Sequence, residues 1–325
     1  MSKTRLLLLV LAVPAAVLAV VLTGIVGIAV QPFVIPIASK PPEVDAQQLE
    51  RHVRHLSQTL HPRSNDQVER LEQAAAYIQT SFEDAGAEVS SQPVLVDGRR
   101  YRNVIAKFGP AAGPVLVIGA HYDTQGDTPG ADDNASGVAG LLELGRLLGR
   151  SQPHRAIELV AYTLEESPHF RTPDMGSARH AKSMKETNRK VELMLSLEMI
   201  GYFSDVPGSQ QFPFPVMAWL YPDRGNFIAL VGKLSDFGQM RKTKAAMAGA
   251  TSLPVRSINA PTTLRGIDFS DHLNYWNEGM PAIMVTDTAF MRNPNYHGRG
   301  DTFDTLNYAR MAMVVQGVYA VAMSR

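Results

Sequence analysis

From Leu6 to Val30 the chain runs for 25 residues without a charged side chain, nearly all of them Leu, Val, Ala and Ile, and the basic pair Lys3 and Arg5 stands just ahead of the run. About 20 apolar residues suffice for a helix to cross the hydrocarbon core of a bilayer. The run is long enough to span, and positive charges before it favour an N-terminus kept in the cytoplasm with the rest of the chain outside. The competing reading is a cleavable signal peptide, whose apolar stretch is normally about 7–15 residues. Either way the remainder is expected to be exported, periplasmic or extracellular. Residues 31–43 hold four prolines and read as a short stiff linker. Residues 44–325 are then one folded domain.

Within that domain the apolar spacing predicts helices over 44–60, through Leu49, Val53, Leu56 and Leu60, and over 65–86, through Val68, Leu71, Ala75, Ile78 and Phe82. Short β-like runs follow at 93–96 and 102–108, and then a continuous apolar run, 114–120, of the kind found in strands buried on both faces. From there helix-like and strand-like segments alternate: a helix from about 134 to 148, a strand 156–164, a helix from about 176 to 186 and a strand 191–197. A strand at 226–231, a helix at about 233–249, strands near 255 and at 281–285, and a C-terminal helix from about 306 complete the series. This alternation predicts an α/β fold: one three-layer domain, a mixed and mostly parallel sheet with helices on both faces. Residues 204–215, rich in Pro, Gln and Ser, read as a loop over the surface.

Composition narrows the chemistry. With 31 Lys+Arg against 31 Asp+Glu and no basic stripe, the chain lacks the electrostatic footprint of a nucleic-acid binder. The absence of Cys excludes a disulfide scaffold, a thiolate metal site and a thiol nucleophile.

In open α/β sheets, ligands bind outside the carboxyl ends of the strands, and the reactive side chains of this sequence gather there. Strand 114–120 runs into His121-Tyr122-Asp123, strand 156–164 into Glu165-Glu166, strand 191–197 into Glu198, and the strand at 281–285 leads to a loop carrying His297. Asp132-Asp133-Asn134 precedes the helix that begins near 134. Each of these alone has a plain explanation, such as a helix N-cap or a solvated pair. Five His or carboxylate groups at one sheet edge together suit zinc, and also manganese or cobalt, in a catalytic rather than a structural setting. Three carboxylates and two neutral imidazoles carry about −3, which two divalent ions convert to a net +1 able to polarise a water. One ion would leave the site negative, so two ions with one bridging carboxylate fit better.

The ordered phrases His121-Tyr122-Asp123, Gly130-Ala131-Asp132-Asp133-Asn134-Ala135-Ser136-Gly137, Glu165-Glu166, Glu198-Met199-Ile200-Gly201, Ser270-Asp271-His272 and Tyr296-His297 resemble the motif series of the co-catalytic zinc aminopeptidases, metallopeptidase family twenty-eight. The resemblance covers roughly residues 60–325. It implies that one zinc is held by His121 and Glu198, the other by Glu166 and His297, and that Asp133 bridges them. It further implies Glu165 as general base and Asp123 as the group fixing the tautomer of His121. Three departures stand out: Glu198 where the family more often has Asp, a longer segment 167–175 after the paired glutamates, and Gly298 where a Thr is common. The 167–175 segment is expected to border the substrate pocket, and Asp271 and His272 either support the pocket or simply open a helix. The other histidines, His52, His55, His61, His154, His169 and His180, have no ligand-like setting.

The resemblance thus implies a zinc aminopeptidase acting on peptides, and the N-terminal run adds that it is exported and membrane-anchored. Two other functions remain open. Glutaminyl cyclases share this fold, manage with one zinc and generally lack the first His, which here is His121. Some receptor ectodomains keep the fold as binding modules after losing their ligands.

Overall fold

A computed structural model describes residues 16–17, 20–21 and 23–324. The expected membrane-crossing run, 6–30, falls largely outside the described residues, of which 23–29 are helical. Among the described residues no helix is long and apolar enough to cross a membrane.

The remainder is one α/β domain with helices α1 (Ala46–Arg54), α2 (Val68–Asp84), α3 (Gly137–Gly149), α4 (Gly176–Glu186), α5 (Phe237–Ala250), α6 (His272–Asn277) and α7 (Tyr308–Met323). The strands are β1 (Glu88–Val96), β2 (Arg99–Phe108), β3 (Val115–His121), β4 (Ala156–Tyr162), β5 (Val191–Glu198), β6 (Ile228–Lys233), β7 (Val255–Ala260) and β8 (Ala282–Thr286). They form one sheet in the order β1-β2-β4-β3-β5-β8-β6-β7. The inner strands β4, β3, β5 and β8 pair parallel, whereas β1–β2, β2–β4 and β6–β8 pair antiparallel. The sheet is therefore mixed, as the alternation predicts.

All seven residues of β3 and of β4 are buried; β3 reads as an unbroken apolar run up to His121, whereas β4 carries the buried Glu158 within it. Period two then sorts their side chains between two cores. Leu116 and Ile118 join a cluster with α1, α2, α3, α5 and α7, while Val115 and Val117 join a second cluster with α4 and α6. At Gly119 a Cβ would run into the ring of Tyr162 on β4, so this position admits only hydrogen.

From β3 the chain crosses to β4 on one side and then to β5 on the other. The order reverses there, and the crevice outside the carboxyl ends of β3 and β5 is the topological switch point of the sheet. His121 and Glu198 are the last residues of those two strands.

The local differences from the sequence reading have physical causes. β1 starts at Glu88, earlier than its apolar run, because its first half is mostly exposed and polar. α3 starts at Gly137: residues 131–136 form a wide turn in which Asp133 (φ −102°, ψ 89°) and Asn134 (φ −130°, ψ 39°) leave helical geometry. Helix α6 has no clear sequence signal. The segment read as a free linker is bound to the domain, since Gln31 is buried and the amides of Ile37 and Ser39 donate to the carbonyls of Ala245 and Gly249 in α5.

Candidate metal centre

The wide turn at 131–136 is stitched to the end of β5. Asn134 Oδ1 accepts the amides of Gly137 (3.1 Å) and Met199 (3.0 Å), and its Nδ2 donates to the Leu197 carbonyl (2.8 Å). Ser136 Oγ accepts the Ile200 amide and Asp132 Oδ1 accepts the Gly201 amide, both at 3.0 Å. From the C-terminal side, Asp301 receives the amide of Asp132 on Oδ1 (2.9 Å) and that of Asp133 on Oδ2 (3.1 Å). Arg63, wholly buried, donates through its guanidinium to the carbonyls of Tyr122, Leu56, Pro129 and Gly130. These bonds fix Asp133 from three remote parts of the chain.

The five side chains singled out in the sequence come together around that turn. His121 Nε2 lies 3.3 Å from Asp133 Oδ1 and 3.4 Å from Glu198 Oε2. His297 Nε2 lies 3.2 Å from Asp133 Oδ2 and 3.4 Å from Glu166 Oε2. Asp133 therefore presents one oxygen to each imidazole. Ligand atoms of His121, Asp133 and Glu198 all lie within 4.8 Å of one another, and so do those of Asp133, Glu166 and His297. His121 Nε2 and Glu166 Oε1 are buried without a hydrogen-bond partner, as free donor atoms for a cation would be. The set of imidazole nitrogen and carboxylate oxygen suits zinc, and it fits two cations sharing Asp133.

Supporting contacts set the aim of these groups. His121 Nδ1 hydrogen-bonds the Asp123 carbonyl (3.2 Å), which leaves the lone pair on Nε2 facing the cluster. The Asp123 carboxylate accepts the amides of Glu165 and Glu166, both at 3.0 Å, so it holds the backbone of the glutamate pair. Ser270 Oγ donates to Glu198 Oε2 at 2.7 Å. Tyr296 stacks on His297 at 3.8 Å between ring centroids. Three non-glycine residues at this edge, Leu164 (φ 60°), Met199 (φ 51°) and His297 (φ 53°), occupy the left-handed region. Such positions cost about 1–3 kcal/mol each and persist where the surroundings over-determine them.

Burial dominates the charges. It pushes Glu166 up to about 7, with Asp133 adding to the effect. Burial also lifts Glu165 well above the ordinary carboxylate range, opposed by His121 and reinforced by Glu166 and Glu198. Burial would lower His297, but the bonds to Asp133 and Glu166 outweigh it and raise the imidazole to about 10. Asp133 goes the other way: both histidines overcome its burial and keep it below the usual range. The cation-free cluster thus shares protons where bound cations would replace them.

Glu165 Oε2 stands 3.9 Å from His121 Nε2, at the rim of the cluster. Asp271 is buried beneath it with neither carboxylate oxygen hydrogen-bonded, and burial pushes it up to about 7. His272 instead bonds the Ile267 carbonyl and meets the ring of Trp276 edge-on. Of the histidines set aside, His52 bonds Gln48 and Tyr77, and His180 bonds Tyr275; both are structural contacts. Sequence reasoning passed over Arg63 and Asp301 as supports, and Ser270 entered it only within the Ser270-Asp271-His272 phrase.

Beside Glu198 and Tyr296 opens a cavity with about 900 Å³ of empty space, part of it continuous with solvent. Phe227, Phe269, Met284 and Phe290 line it, together with Phe212 and Tyr221. The segment read as a surface loop therefore contributes a wall. The 167–175 segment lies behind the wall instead: Phe170 meets Phe269 edge-on at 6.0 Å, and Arg171 pairs with Asp268 at 2.5 Å.

The sequence model of Peptidase family M28 matches residues 103–322. The chain is 53% identical to Uncharacterized protein YfbL of Escherichia coli (strain K12) over 296 residues, which cover 89% of this chain and 91% of that protein. It is 26% identical over 255 residues to a Probable leucine aminopeptidase of Arthroderma otae, covering 74% of this chain and 62% of that one. It spans less than two thirds of that fungal relative. The crystal structure of LapB from Legionella pneumophila superposes with a TM-score of 0.67 at 25% identity, over 86% of this chain and 71% of that one. A glutaminyl cyclase from Bacteroides thetaiotaomicron gives a TM-score of 0.67 at 19% identity, covering 88% of this chain and all of that one, a likeness of fold.

Proposed function

The chain belongs to peptidase family M28, and from that premise we propose that it is an aminopeptidase releasing N-terminal residues from peptides at a two-zinc site, held outside the cytoplasm by its apolar N-terminal segment. The observation that carries this reading is the split allegiance of Asp133, one oxygen toward His121 and the other toward His297. His121 and Glu198 would hold one ion, Glu166 and His297 the other. Bound there, the ions would polarise the scissile carbonyl and make a water acidic enough to attack at neutral pH.

The chain's own residues supply the rest. Glu165 Oε2 takes the proton of the attacking water and delivers it to the departing amine, a task that suits a carboxylate buried at the rim of the cluster. The Asp123 carboxylate holds Glu165 in place by accepting the main-chain amide of Glu165. The cavity beside Glu198 receives the side chain of the N-terminal residue, and its aromatic and Met lining favours an apolar one.

Glutaminyl cyclisation is the second reading, and the solved cyclases of this fold favour it. Against it stands the additional three-ligand group built on His121 and Glu198, which a single-ion cyclase does not need.

The test is amino-acid release by the full chain from a peptide with a free N-terminus and from the same peptide acetylated, with and without a chelator. Chelator-sensitive release from the free peptide alone is expected. Failure to cut either peptide after zinc is supplied, with pyroglutamate formed from a Gln-led peptide, would transfer the site to the cyclase reading.

A further inference from the structure

Residues 206–222 carry no charged side chain. Part of this segment faces the cavity, but Phe214, Val216, Trp219 and Leu220 point outward, with Trp219 87% exposed. Their backbone is tight, with Pro215–Trp219 forming a 3-10 turn. Exposed apolar groups that gather on one turn mark a contact surface rather than a solvated loop.

What covers this turn is indicated by its neighbour. Tyr221 Oη donates to the Ser257 carbonyl at 2.8 Å, and Ser257 Oγ donates to the Val30 carbonyl at 2.8 Å. Lys244 Nζ clamps the same place, donating to the carbonyls of Val30 (3.1 Å) and Gln31 (2.9 Å). Val30 ends the apolar run that begins at Leu6. The foot of that run and the Trp219 turn therefore share one residue of the edge strand β7 as their support. Arg256, next to Ser257, and Arg265 are exposed at the rim of the same cavity, which they help to line, and form no ion pair among the described residues.

We infer that the turn at 214–220 lies in the headgroup layer of the same bilayer that holds the N-terminal segment, with Trp219 as its anchor and Arg256 and Arg265 toward lipid phosphates. The inference rests on the reading of 6–30 as a membrane segment. Trp favours this layer because its ring is apolar and its N–H polar, and arginines near an anionic leaflet add attraction. Because the turn also walls the cavity, the mouth of the site opens at the lipid surface.

The chain has two tryptophans, and Trp276 is buried with its indole N–H bonded to Asp236 and to the Ala282 carbonyl, so the difference between wild type and Trp219→Phe isolates Trp219. The full chain would be reconstituted in vesicles of phosphatidylcholine and phosphatidylglycerol brominated near the glycerol end of one acyl chain. Loss of Trp219 emission relative to unbrominated vesicles, with a shift to shorter wavelength, is the expected result. A chain that floats with the vesicles but keeps an unquenched, acrylamide-accessible Trp219 overturns the inference and leaves the anchor standing. Protection from acrylamide that grows with protein density, without quenching by bromine, assigns the turn to a second copy and overturns it too. A chain that does not float with the vesicles removes both readings.

Discussion

The carboxylate of Asp301 accepts the main-chain amide of Asp133 at 3.1 Å across 168 residues of sequence. The side chain of Asp133 is thus left free to reach two histidines while its backbone is held by another acid. Replacing Asp301 by Ala should leave the fold in place and loosen the turn. Outer contacts of this kind are worth about 10–100-fold in metal affinity. Zinc competition against a chromophoric chelator measures the change, and an unaltered affinity would remove Asp301 from the machinery.

Glu165→Gln keeps the shape and the Asp123 contact to the backbone but cannot hold a proton in transit. Turnover should fall by about 10²–10⁴-fold, the usual contribution of a general base. Zinc content by mass spectrometry should stay that of the wild type. A loss of metal instead would reassign Glu165 to ligation.

The cavity predicts the order of substrates. Burying a Leu side chain is worth about 1.5–3 kcal/mol, so a Leu- or Phe-led peptide should exceed its Gly-led counterpart by about ten- to a hundredfold in kcat/KM. Equal rates across such a series would mean that the cavity does not receive the first side chain.

Without cations the cluster makes stability depend on pH in an unusual sense. Burial raises Glu166, Asp271 and Asp301 to about 7, above the ordinary carboxylate value, and bonds to Asp133 and Glu166 raise His297 to about 10. Groups raised in the folded state bind extra protons there, so their stabilisation is lost as pH climbs. The chelated protein should melt at a lower temperature at pH 8 than at pH 6.5, and the gain on adding zinc should be larger at pH 8. Melting curves with chelator and with zinc at the two pH values decide this; a zinc gain that shrinks at pH 8 contradicts the linkage.

Gly119→Ala tests the sheet beneath the site. Its new methyl would meet the ring of Tyr162 on the neighbouring strand. Overpacking of this kind costs about 1–3 kcal/mol, which lowers Tm by several degrees in a domain of this size. A thermal melt indistinguishable from the wild type would show that the ring can move aside.

The sheet and part of the ligand set were legible because strands buried on both faces are largely apolar, so the charged residues at their carboxyl ends mark the active edge. His121, Glu165, Glu166 and Glu198 all follow such runs. His297 follows β8 only after a loop, and it was found through the motif series. The supports were not legible because they act at long range through backbone amides. Nothing near Arg63 says that its guanidinium will cap carbonyls of residues 122, 129 and 130. Likewise β1 hides its first half, since an exposed edge needs no apolar pattern. The expected surface loop at 204–215 walls the cavity through Gln210, Gln211, Phe212 and Pro213, while its other apolar residues, Val206 and Phe214, stay exposed.

The parts of the candidate centre are scattered from Arg63 to Asp301. Contacts that close such long stretches of chain form late in folding. A nascent chain ending before His297 therefore lacks one imidazole of the candidate centre and the Asp301 support of its turn. The order of synthesis itself delays hydrolytic competence until nearly the whole domain is made, and any peptide encountered earlier, its own unfolded segments included, is safe from it.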